Sequence, residues 1–89
     1  MCISEKVVVR HRYGLHLRAA VGLILLTRKY KSRIILRKGL ATANAQSILG
    51  LLNLGAGRGA ELEVISEGED AGEALSEIRN YFSSSHCWA

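Results

Sequence analysis

Across a single glycine this chain switches from one backbone periodicity to another, and that switch narrows the possible folds more than any other feature. Val7-Val8-Val9 is a β-branched run and places a first strand over 3–10. Gly14 turns the chain, and Ala20, Leu23, Ile24, Thr27 and Tyr30 then recur at helical spacing, which predicts a helix over 17–29. His16 stands at or beside the N-cap of that helix, where the first backbone N–H groups have no intrahelical acceptor. Those amides, the positive end of the helix dipole and the neighbouring Arg18 make an anion site next to an imidazole.

The rest of the pattern alternates in the same way. Ile34-Ile35-Leu36 marks a strand over 33–38, and Gly39 turns it into a short one over 41–43. Ser47 has the chemistry of an N-cap for a helix over 48–54, and Gly55 ends that helix as a C′ residue. A fourth strand over 61–66 points Leu62 and Val64 inward, with Glu61 and Glu63 outward. Glu67-Gly68-Glu69 turns the chain, and Asp70 with Glu73 has the spacing of a capping box. The last helix buries Ala74, Leu75, Ile78 and Phe82, and the tail after Ser83-Ser84-Ser85 is expected to fray. The order β-α-β-β-α-β-α predicts an α+β fold, with three helices on one face of a mostly antiparallel four-stranded sheet. Gly22, inside the first helix, costs about 1 kcal/mol against alanine and has no evident gain in the sequence.

Eighty-nine residues at 48% hydrophobic content suit one domain, 1–89, with a single core. The longest apolar run, 19–26, is too short to span a membrane, and no basic segment leads into an apolar core at the N-terminus. Cys2 and Cys87 lie near opposite ends without metal-ligand spacing, so reduced thiols and a cytoplasmic, monomeric protein are expected. The net charge of +4 is unevenly spread: residues 1–58 hold eleven Lys/Arg against Glu5, whereas 59–89 hold Arg79 against seven acids. This predicts one basic face, which includes His16, and one acidic face. An RNA-binding module using Arg10, Arg12, Lys29 and Lys31 is the rival from another class, but the strands lack aromatics for base stacking. His11 reads as an exposed loop residue, since neither carboxylate nor thiol completes a metal site with His16, and no metal or cofactor is expected. The tail pair His86-Cys87 forms no site, and the 55–59 loop lacks the Lys-Ser/Thr of a phosphate-cradling loop.

A neutral imidazole at a helix N-terminus is a nucleophile before phosphoryl transfer, and the amides of Leu17, Arg18 and Ala19 are ligands for the phosphoryl oxygens after it. The stretch Gly14-Leu15-His16-Leu17-Arg18-Ala19-Ala20 closely resembles the active-site motif of the HPr family, the histidine-containing phosphocarriers of the bacterial phosphotransferase system. The resemblance extends through Asn44-Ala45-Gln46-Ser47-Ile48-Leu49-Gly50-Leu51-Leu52, Leu54-Gly55, Gly59-Ala60-Glu61-Leu62-Glu63-Val64, Gly68-Glu69-Asp70 and Glu73-Ala74-Leu75. It implies an open-faced β-sandwich and a carrier, not an enzyme acting on a small substrate. His16 would be phosphorylated at Nδ1 by phosphoenolpyruvate-driven enzyme I, with enzyme IIA domains as acceptors and Arg18 as the active-site arginine. A regulatory nitrogen-branch paralogue is the alternative within the family. Two departures stand out. Ala19 occupies the place of the family's usual proline, and the turn at Gly39 is one residue out of step.

Two further features follow from the resemblance and from patterning. The serine matching Ser47 is phosphorylated by a kinase/phosphorylase in many family members, although the cap alone accounts for the residue. Leu17, Val21 and Leu25 form a second apolar row on the first helix. Leu17 and Leu25 with Ile48, Leu49 and Leu52 would make an apolar docking patch beside His16, where the resemblance places enzyme I and IIA partners.

Overall fold

The computed structural model describes residues 2–83, so the expectations for the frayed tail, for His86 and for Cys87 lie outside the described residues. The elements are β1 (Cys2–Val8), α1 (Leu17–Thr27), β2 (Arg33–Lys38), β3 (Ala41–Asn44), α2 (Ile48–Asn53), β4 (Glu61–Glu67) and α3 (Ala71–Ser83). The strands form one sheet in the order β1-β4-β2-β3, and every neighbouring pair is antiparallel. Strict alternation fills one face: Val7, Ile34, Leu36, Ala43, Leu62 and Val64 are buried under the helices. Ala20 and Leu23 of α1, Leu51 of α2, and Ile78 and Phe82 of α3 close the core from above. The opposite face stays open and carries the ion pairs Lys6–Glu61 and Arg37–Glu63.

Local boundaries differ from the sequence reading for physical reasons. β1 leaves the ladder at Val8, yet Val9 remains wholly buried and bonds through both its N–H and C=O to Ala60 and Gly59. α1 stops at Thr27, whose hydroxyl donates to the Leu23 carbonyl at 2.9 Å, a side-chain bond that competes with helix propagation. Ile24 and Tyr30, read as core stripe, are only half-buried. α2 ends at Asn53 with Leu54 as its cap, and Gly55 follows at φ +61°.

Three expectations are corrected. The Asp70 carboxylate does not close a capping box on α3. It reaches the α1–β2 loop, accepting the N–H of Lys31 (2.9 Å), the N–H of Ser32 (2.8 Å) and the Ser32 hydroxyl. Gly22 does have a packing reason: a Cβ there would collide with the Tyr81 hydroxyl, which donates to the Ala19 carbonyl at 2.7 Å. The charges are not divided between two faces either. Glu61, Glu63, Glu69 and Glu77 pair with Lys6, Arg37, Lys31 and Lys29, because β4 lies between β1 and β2 in the sheet and α3 stands beside α1.

Candidate functional site

The loop from β1 to α1 is braced by the loop before β4. Leu15 donates to the Ala56 carbonyl at 2.8 Å and buries its side chain, which anchors the chain one residue before His16. Gly14 sits at φ +69°, and a Cβ there would come within 2.5 Å of the Ala56 oxygen, so this close approach requires glycine. His16 emerges as the N-cap of α1 with extended backbone (φ −87°, ψ −177°), while its carbonyl already accepts the Ala20 N–H.

The imidazole itself does the capping. The Arg18 N–H donates to His16 Nδ1 at 3.2 Å, so the Nδ1 lone pair faces the helix N-terminus and the ring proton belongs on Nε2. Nε2 is buried and, among the described residues, has no hydrogen-bond partner. The ring lies instead against two others: the His11 centroid is 5.0 Å away and steeply inclined, and the Tyr13 centroid is 6.0 Å away. His11 is therefore not the exposed loop residue that the sequence suggested. It is 8% exposed, accepts the Tyr13 N–H on Nδ1 at 3.2 Å, and has its pKa held below the ordinary 6.5 by burial, then by His16 and Arg12.

The three amides expected to form the anion site are in different states. Arg18 N–H is taken by Nδ1, whereas those of Leu17 and Ala19 have no protein acceptor among the described residues. The Ala19 side chain is fully buried. Among the described residues, Arg10, Arg12, Arg18 and Arg58 have no carboxylate partner. Arg10, Arg12 and Arg18 flank His16 in sequence, and Arg58 lies on the loop that braces it. Five of the eight acids pair with cations elsewhere in the sheet and helices, and the four arginines around His16 keep their positive charge uncompensated.

Ser47 caps α2 as expected: its exposed Oγ accepts the Gly50 N–H at 3.1 Å. The proposed apolar patch is smaller than predicted. Leu17, Leu25 and Leu49 are exposed, the last at 70%, but Ile48 and Leu52 are half-buried and pack on the core. A six-residue helix packed on both β3 and α1 turns more than one side inward, which a single apolar count along the sequence misses. Residues missed at the site are His11 and Tyr13. Two rings at five and three positions before a histidine were a visible signal, but only the turn at Gly14 brings all three together. Among the described residues, no group of three His, Cys, Asp or Glu side chains is placed to hold a metal, and no helix is long and apolar enough to cross a membrane.

Comparison with known proteins places this geometry in context. The family model described as "PTS HPr component phosphorylation site" matches residues 3–84. The phosphocarrier protein HPr of Treponema pallidum is 36% identical over 80 residues, covering 90% of this chain and 91% of that protein. The phosphocarrier protein NPr of Shewanella violacea is also 36% identical, over 85% of this chain and 84% of its own. In three dimensions, a crystal structure of a phosphocarrier protein HPr from Bacillus anthracis superposes with a TM-score of 0.87 at 31% identity, covering 91% of this chain and 96% of that one.

Proposed function

This chain belongs to the HPr family of phosphotransferase-system phosphocarriers, and from that premise we propose that its His16 Nδ1 accepts a phosphoryl group from enzyme I and passes it to enzyme IIA domains. One observation carries the assignment of the atom: Nδ1 is the ring nitrogen whose lone pair faces the α1 N-terminus. In the transfer, that lone pair forms the new N–P bond while the bond from phosphorus to the donor breaks, its electrons staying with the donor. The Arg18 amide leaves Nδ1, and the phosphoryl oxygens accept it together with the free amides of Leu17 and Ala19. The exposed Arg18 guanidinium is the mobile cation that meets the remaining charge. Positioning and electrostatics of this kind suffice for phosphoryl transfer, so a shallow surface site is enough.

Ala19 supports this reading despite replacing proline, since it supplies an amide that proline lacks. The exposed Leu17, Leu25 and Leu49 are the apolar contacts for partner docking, with Ile48 and Leu52 as their half-buried support. Ser47 is the candidate for regulatory phosphorylation by a kinase/phosphorylase: its hydroxyl is exposed, and a phosphate there would repel acidic partners without unfolding α2. The equal identity to an NPr protein supports a second reading, a nitrogen-branch carrier with the same chemistry.

The test is incubation with enzyme I and phosphoenolpyruvate, followed by intact mass. The expected result is an acid-labile gain of one phosphoryl group, absent in His16→Ala. No gain from either the sugar-branch or the nitrogen-branch enzyme I, or a gain that survives His16→Ala, overturns the assignment. Preference for the nitrogen-branch donor selects the second reading.

A further inference from the structure

Among the described residues, the hydrogen bond that orients the His16 ring is at its Nδ1 end. The opposite nitrogen, Nε2, is buried and has no partner among the described residues, so no polar contact keeps that end from swinging. The His16 ring packs against another ring. His11 presents its imidazole at 5.0 Å and 61° to His16, close to the edge-to-face arrangement that aromatic pairs favour. His11 is itself fixed: it is buried, its Nδ1 accepts the Tyr13 N–H, and its carbonyl accepts the Gly14 N–H at the turn. Tyr13 completes a three-ring cluster, 5.5 Å from His11 and 6.0 Å from His16, but at 68% exposure it is the outer wall rather than the base.

We propose that His11 is a positioning residue for His16: its buried ring is the wall that keeps the His16 imidazole turned with Nδ1 toward the first amides of α1. This deepens the proposed phosphoryl-acceptor role and rests on it. His11 touches neither donor nor phosphoryl group and acts only through the His16 ring. Burial first, then His16 and Arg12, lower the pKa of His11, which favours an uncharged ring at this wall, where an imidazolium would compete for the incoming anion.

Two variants separate the wall from the loop it stands in. His11→Asn keeps a side-chain acceptor for the Tyr13 N–H and removes the ring; His11→Phe keeps a ring and removes the acceptor. The first measurement needs no phosphoryl transfer. With 15N-labelled histidine, His16 of the parent protein is expected as the Nε2–H tautomer at a pH where it is neutral. His11→Asn is expected to shift it to a mixture of tautomers, and His11→Phe to restore the parent spectrum. The second is the initial rate of phosphorylation by enzyme I. His11→Asn is expected to lower kcat about three- to tenfold, the size of one edge-to-face ring contact, with KM for enzyme I unchanged and recovery in His11→Phe. Unchanged His16 nitrogen shifts and unchanged kcat in His11→Asn overturn the proposal. So does an equal loss in both variants, or a loss confined to KM, either of which marks His11 as a loop or docking residue. If the parent protein takes no phosphoryl group, the carrier reading fails, and the tautomer comparison still decides the role of His11.

Discussion

Gly22 and Tyr81 give the sharpest test of how α1 is held beneath the site. In isolation, Gly22→Ala in the middle of a helix is favourable by about 1 kcal/mol. Here the new methyl group occupies the place of the Tyr81 hydroxyl, which ties α3 to the Ala19 carbonyl in the first turn of α1. Displacing it forfeits a hydrogen bond of about 1 kcal/mol and adds overpacking of about 1–3 kcal/mol, so Gly22→Ala is expected to destabilise the protein by about 1–3 kcal/mol. Tyr81→Phe alone loses only the hydrogen bond, because the Ala19 carbonyl still serves its helix. That is a cost of about 1 kcal/mol, or a Tm lower by about 4–8 °C for a domain of this size. In the Tyr81→Phe background the nearest side-chain atom to the added methyl group is the ring carbon at 3.3 Å, a contact that yields with a small ring shift. Gly22→Ala should then stabilise, by up to about 1 kcal/mol. A double-mutant cycle by urea unfolding therefore shows a change of sign and a coupling of about 1–4 kcal/mol. If Gly22→Ala has the same effect in both backgrounds, the hydroxyl does not occupy this position and the packing argument is wrong.

Ser47→Ala removes the α2 cap and is expected to cost about 1 kcal/mol in chemical unfolding, with phosphorylation of His16 by enzyme I retained. Leu49→Lys changes an exposed side chain, so stability should stay within about 0.5 kcal/mol while titration with enzyme I or a IIA domain shows weaker binding. The Asp70 carboxyl is held below its ordinary value of 3.8 by the Ser32 hydroxyl first and the Lys31 N–H next. Its contribution to stability is thus fully present above that value and is lost as pH falls through the lower folded value. Asp70→Asn should unfold more readily at neutral pH and show a shallower loss of stability on acidification than the parent protein.

Much of the fold is legible in the sequence, and the reasons are local. β2 was readable end to end because a β-branched run is bounded by a turn glycine, and the N-cap roles of His16 and Ser47 followed from where the helical period begins. What escaped depends on distant partners. The role of Gly22 needs Tyr81, some sixty residues later, and the grip of Asp70 on Ser32 needs the α1–β2 loop to lie beside the start of α3. The charge pattern misled for the same reason: linear segregation says nothing about which strands become neighbours, and β4 carries its glutamates between the cations of β1 and β2. At the site, the turn at Gly14 hid His11, because a loop residue is buried only once the chain folds back over it.

The central claim is that His16 accepts phosphate through the nitrogen facing the α1 amides. Nitrogen NMR on the protein labelled at histidine, after phosphorylation by enzyme I, tests it most directly. The account predicts phosphorus coupling at His16 Nδ1 together with downfield movement of the Leu17, Arg18 and Ala19 amide protons. Coupling at Nε2, or a phosphoryl group on His11 with the α1 amides unmoved, contradicts it.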